Sequence, residues 1–184
     1  MTDEDDGDHT IVGRTLSDSQ AIRFQLKTVL NLPADYCACV GEIAARWNWL
    51  EHQLSVLIRE GFDLDKQEGR VLVNGMPHRV KTQILRVLAL KWIKDLGLRD
   101  DLRRFAADCQ KQSDPRSEYV HGLWVHPAAD PKRIGLMAVK PGDTASSNPE
   151  FRPVQIADMQ KIATDLKALQ ERATSLTARM KGQV

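Results

Sequence analysis

The chain has 184 residues, 42% of them hydrophobic and 28% charged, with a formal net charge of +1 at pH 7. That length and mix suit one globular domain with a substantial core, and they exclude collagen-like, low-complexity and multi-span membrane chains. The near-neutral total hides a split. Residues 1–10 hold Asp3, Glu4, Asp5, Asp6 and Asp8 with no Lys or Arg, so 25 acidic residues less those five leaves 20 against 26 basic ones. The resulting bias permits a polyanionic partner without requiring one.

The start of the chain is acidic where a secretory leader is basic, and no apolar run approaches membrane-spanning length, so a cytoplasmic protein with no membrane partner is expected. Cys37, Cys39 and Cys109 are odd in number and lack CxxC spacing, which predicts free thiols. In a helix, Cys37 and Cys39 fall on diverging faces.

Residues 1–16 are expected to form a disordered acidic tail, having little to bury. Residues 17–184 are expected to form a single helical domain. A helical stretch is placed from Ser17, with Ala21, Phe24, Leu26 and Leu30 as its contacts. Pro33 then opens the clearest helix, in which Tyr36, Val40, Ile43, Trp47, Leu50, Leu54 and Leu57 recur at alternating spacings of four and three, stopped by Gly61. A short helix over Lys66–Val73 ends at Asn74-Gly75. Pro77 starts another, with Val80, Ile84, Val87, Leu88 and Trp92 as its apolar stripe. Gly97 separates it from a third, which runs from about Leu98 through Leu102, Phe105 and Cys109.

The segment Asp114-Pro115-Arg116-Ser117-Glu118-Tyr119-Val120-His121-Gly122-Leu123-Trp124 reads as a separate short helix. Ser113 or Asp114 is its cap, Pro115 its first turn and Gly122 its end. Beyond it, Leu123–His126 and Ile134–Val139 are read as a β-hairpin, with a third strand near Phe151–Val154 and a turn at Lys140-Pro141-Gly142-Asp143. A long amphipathic helix closes the chain through Ile156, Met159, Ile162, Ala163, Leu166, Leu169, Ala173, Leu176 and Met180. The expected fold is mainly α: an antiparallel bundle of four to five helices, with a β excursion at about 123–154 before the last one.

Chemistry is concentrated in the Arg116–His121 segment. Arginine holds phosphate through fixed donors, and histidine moves protons near neutral pH. In the first turn of a helix, Arg116 would also share its anion with free backbone amides. Positions five apart lie roughly 140° around a helix, so the two side chains are not expected to share a face unless the helix tightens or frays, and a two-fold dimer could join two copies into one cleft. The same residues have structural uses. Arg116 could pair with Glu118 or Glu51, His121 suits a helix C-terminus, and Trp47, Trp92 and Trp124 suit a core.

The Arg-x4-His spacing, the following Gly122-x-Trp124 and the upstream Trp47-x-x-Leu50-Glu51-x-x-Leu54 helix resemble the HEPN superfamily (a helical "higher eukaryotes and prokaryotes nucleotide-binding" domain). The likeness covers about Pro33 to Trp124, and the last helix more loosely. It implies a bundle of four or five helices, and in active members a metal-independent endoribonuclease, often a homodimer, of the kind frequent in toxin–antitoxin and anti-phage systems. Arg116 and His121 are the matching positions. Ser117 stands where active members usually carry Asn, Asp or another strongly polar group.

With that reading, His121 is the general acid–base and Arg116 stabilises charge on phosphorus. Glu51 and Ser117 support them, and Tyr119 and Trp124 stack on bases. Arg103, Arg104 and Lys111 supply RNA contacts. No cofactor is expected, and no metal, because His121 and His126 lack ligand spacing and no Cys or carboxylate cluster completes a site. The expected partners are a second copy, RNA, and an antitoxin or other protein. The competing expectation is a non-catalytic interaction module of the same fold, binding a protein partner or a nucleotide.

Overall fold

Pro33 fixes the entry of α1 (Ala34–Gly61), and the three/four spacing that follows lays Ile43, Trp47, Leu50, Leu54 and Leu57 on one buried face. α5 (Ile156–Lys181) buries a matching stripe of Met159, Ala163, Leu166, Leu169, Ala173, Leu176 and Met180, and the two helices pack along each other. A leucine fully buried in such a seam stabilises the fold by roughly 1.5–3 kcal/mol. A computed structural model describes residues 26–29, 31–138 and 150–181 of the chain. The tail expected over 1–16 and the turn at Lys140-Pro141-Gly142-Asp143 lie outside them.

Between these two helices come α2 (Lys66–Val73), α3 (His78–Lys91) and α4 (Leu96–His121). Asp65 caps α2 by accepting from the amides of Gln67 and Glu68, while the Glu68 carboxylate accepts from the Asp65 amide. α1 stops at Gly61, where a Cβ would sit 2.2 Å from Leu88 Cδ1 and 2.9 Å from Met180 Cε. A side chain there would have to displace the ends of Leu88 and Met180, which close over the glycine.

The strands β2 (Leu123–Pro127), β3 (Gly135–Ala138) and β4 (Glu150–Pro153) follow α4, pairing antiparallel, Trp124 with Leu136 and Leu136 with Arg152. A fourth strand, β1 (Leu26–Thr28), adds to the outer edge of β2, with Lys27 opposite His126. Among the described residues the protein is therefore mainly helical, with five helices and a small antiparallel sheet ahead of the last one.

Four expectations change. Leu26–Thr28 is strand, not helix, because the edge of β2 offers the backbone a ladder that the sequence around it does not reveal. Gly97 lies inside the first turn of α4, whose cap is Asp95 accepting from the Leu98 amide at 2.8 Å. The separate helix at Arg116 does not exist: α4 runs unbroken for 26 residues with Pro115 inside it. Finally, the buried face of α3 is Lys81, Thr82, Leu85, Leu88 and Ala89, while Val80, Val87 and Trp92 are exposed.

Candidate functional site

Continuity through Pro115 alters the setting of Arg116. It is a residue of a late turn in a long helix, so no free first-turn amides share its anion. Packing explains how α4 tolerates the proline: Phe105 and Cys109 before it and Tyr119 after it are anchored in the same core. The helix ends where the Gly122 amide donates to the Glu118 carbonyl at 2.9 Å. A Cβ on Gly122 would stand 2.2 Å from that carbonyl oxygen, so the exit into β2 requires glycine.

At this end the two side chains meet despite their angular separation. Arg116 Nη1 lies 3.1 Å from His121 Nε2. A guanidinium only donates, so the contact is a hydrogen bond when Nε2 accepts, with the ring proton on Nδ1. His121 is exposed, whereas Arg116 is half-buried, with its guanidinium 5.3 Å from the centre of the Trp47 ring. Its Nε is buried without an acceptor, and it forms no ion pair among the described residues. Burial pushes the Arg116 guanidinium down from its ordinary value, and the Glu51 carboxylate nearby pulls it partly back.

Behind Trp47 lies a polar cluster of α1, α3 and α4. Glu51 Oε1 is 2.8 Å from His78 Nδ1, and Oε2 accepts from Lys81 Nζ at 3.1 Å. His78 Nε2 is 3.3 Å from the Cys109 carbonyl oxygen, and its ring stacks on Trp47 at 4.3 Å between centroids. Both ring nitrogens thus face acceptors, and the two bonds are made together only by the doubly protonated ring. Burial alone would raise the Glu51 carboxyl, but the hydrogen bonds and charges of His78 and Lys81 outweigh it and hold the group below its ordinary value. Lys81 is almost wholly buried, at 3% exposure. Thr82, beside it, donates to the Arg79 carbonyl and lies 3.1 Å from Gln110 Oε1 on α4.

Glu51 was expected to orient Arg116 or His121. Instead it grips His78 and Lys81 and reaches Arg116 only through its field. Neither partner stood out in the sequence, although a signal existed: Lys81 shares a helical face with Leu85 and Leu88, and a buried lysine needs a carboxylate. The structural pairing of Arg116 with Glu118 or Glu51 is not formed, and Glu118 pairs with Arg152.

No family model, curated protein or solved structure matches the chain. The chemistry of the site rests on its own side chains.

The other residues singled out by sequence scatter. Ser117 is exposed beside Arg116. Tyr119 and Trp124 are buried, at 7% and 8% exposure, and stack on each other 6.4 Å apart, so neither offers a face to a base. Both belong to the core cluster, where Trp124 also packs edge-on against Tyr36 of α1 at 5.8 Å. Lys111 pairs with Asp108 and Arg103 with Asp100. Arg103 and Arg104 line a groove of about 540 Å³ shared with Arg86 and Leu90 of α3. Arg104 lies twelve residues before Arg116, roughly 18 Å along the helix. These cations therefore do not lead directly into the Arg116–His121 pair. Among the described residues, no helix is long and apolar enough to cross a membrane, and no cluster of His, Cys, Asp and Glu has the makings of a metal site.

Taken together, the end of α4 carries an exposed imidazole whose Nε2 faces a guanidinium. That guanidinium has no carboxylate partner among the described residues and lies against a tryptophan. An oxyanion arriving between the two would gain the Arg116 donors and leave His121 Nε2 able to accept a proton.

Proposed function

We propose that the chain is a HEPN-like, metal-independent endoribonuclease acting as a homodimer, with Arg116 and His121 as its catalytic residues. The observation that carries this reading is the 3.1 Å contact between a guanidinium without a carboxylate partner among the described residues and an exposed histidine. An arginine locked in an internal ion pair and a buried histidine would have favoured a purely structural pair.

In the proposed reaction the ribose 2′-oxygen attacks the adjacent phosphorus, and His121 Nε2 takes the hydroxyl proton. Arg116 neutralises the extra negative charge on the pentacoordinate phosphorus. The bond from phosphorus to the 5′-oxygen then breaks, and that oxygen takes the proton of His121 of the partner subunit, which enters the reaction as the imidazolium while the attacking copy is neutral. The products are a 2′,3′-cyclic phosphate and a free 5′-hydroxyl. Ser117, exposed one residue on, is available to hydrogen-bond the phosphate. A process in which RNA is cut under the control of an antitoxin or another protein would fit such an enzyme.

The test is cleavage of a mixed RNA pool in EDTA by the purified protein, beside Arg116→Ala and His121→Ala variants verified as folded. Cyclic-phosphate ends are expected from the wild type, with the His121→Ala rate lower by about 10²–10⁴-fold. A folded wild type that leaves the pool intact overturns the proposal.

A further inference from the structure

α3 is apolar on two opposite faces. Leu85, Leu88 and Ala89 enter the core, yet Val80, Val87 and Leu90 remain 37%, 46% and 55% exposed. At ~100° per residue, Val80, Gln83, Val87 and Leu90 fall within about 80° of the helix circumference, directly opposite the buried face. Their spacing of three, four and three is that of a coiled-coil seam. A helix apolar on both sides belongs between two neighbours, and among the described residues this one has a neighbour on one side only.

The charges around the seam select what covers it. α3 contains Arg79, Lys81, Arg86 and Lys91 and no Asp or Glu. Arg79 and Arg86 flank the seam on the side towards α4, and Lys91 flanks it on the other. Next to Leu90 the groove between α3 and α4 adds Arg103 and Arg104. Arg103 is already engaged with Asp100. A second copy of α3 would set these cations against their own likes, which is unfavourable. A nucleic acid would satisfy the cations but leave Val80, Val87 and Leu90 against sugar and phosphate. An acidic amphipathic helix satisfies both.

We infer that the outer face of α3 is a docking site for an amphipathic helix of a partner protein, with an apolar a/d stripe and carboxylates beside it. The partner's stripe lies along Val80, Val87 and Leu90, one apolar side chain enters the groove at Leu90, and its carboxylates meet Arg79, Arg86 and Lys91. This site lies on a different face from Trp47 and the Arg116–His121 pair, and it stands whether or not RNA is cut.

The probe is a three-heptad peptide with Leu at its a and d positions and Glu beside them, paired with a twin carrying Lys in place of each Glu. Binding to the full chain is measured by fluorescence anisotropy, alongside Val87→Glu, Arg86→Glu and Leu90→Glu variants. These positions are solvent-facing, so the variants are expected to fold. The Glu peptide is expected to bind, with the Lys twin and the Val87→Glu variant each weaker by about tenfold or more. Failure of the Glu peptide to bind, equal binding of both peptides, or indifference to Val87→Glu overturns the proposal. Self-association abolished by Val87→Glu would assign the face to a second copy. A short RNA whose binding is lost in Arg86→Glu but kept in Val87→Glu would assign it to nucleic acid. Either of those results also overturns it.

Discussion

Replacing Glu51 by glutamine keeps the shape of the side chain and removes its charge. The amide oxygen still accepts one hydrogen bond, but the Lys81 ammonium, at 3% exposure, loses its only ion-pair partner among the described residues. Breaking a buried pair from one side costs about 3–5 kcal/mol. Glu51 itself keeps a quarter of its side chain exposed, and the retained hydrogen bond offsets part of the loss, so about 2 kcal/mol is expected. Urea unfolding followed by tryptophan fluorescence reads this directly, since Trp47 lies on His78. With a slope of about 2 kcal/mol/M the midpoint falls by about 1 M. The Lys81→Met variant should also lose stability, through the stranded carboxylate. The double variant should recover much of both losses, because neither charge is then left buried alone. An unchanged midpoint for Glu51→Gln, or strictly additive losses in the double variant, would refute the reasoning.

The same cluster sets a pH dependence. The folded Glu51 carboxyl titrates below its ordinary value of 4.5, so its stabilising contribution is full above that pH and disappears as pH falls through the folded value. The urea midpoint should therefore drop below about pH 4.5, and more shallowly in Glu51→Gln. Asp108, held low chiefly by its hydrogen bond to Arg172, adds to the fall in both proteins. Cys37 is exposed while Cys39 and Cys109 are buried, and burial pushes both of the latter thiols up. A thiol reagent should label one cysteine quickly in the native protein and three after unfolding, with mass spectrometry locating the first at Cys37. Gly61→Ala drives a methyl into Leu88 and Met180 and should cost about 1–3 kcal/mol in the same urea assay, with no change in the Cys37 labelling rate.

The long seam of α1 and α5 was legible because each helix has a single apolar stripe, and one stripe leaves one way to face the core. α3 was not, because Val80, Ile84 and Val87 make as good a stripe as Leu85, Leu88 and Ala89, and only packing decides between them. The telling residue was Lys81, whose place on the buried face looks like an argument against that face until its carboxylate on α1 is known. Pro115 misled for a different reason. Proline is commonest at the start of a helix, and local sequence cannot say that Phe105, Cys109 and Tyr119 are anchored on both sides of it. β1 depends on a partner about a hundred residues away, so no local pattern could reveal it. The Arg116–His121 pair was found by spacing, but their contact follows from side-chain reach at the end of a helix, and ideal angular geometry argued against it.

Proline at position 115 also divides the mechanics of α4. Lacking an amide hydrogen, it leaves the Lys111 carbonyl without its helical donor, and bending in a long helix concentrates at such a missing rung. Arg116 and His121 both lie beyond that point, on a short stiff stub whose far end is welded to the sheet through Gly122 and β2. A bend at that rung would carry Arg116 and His121 together, so the spacing within the pair is set by the stub alone and not by the straightness of the helix before it.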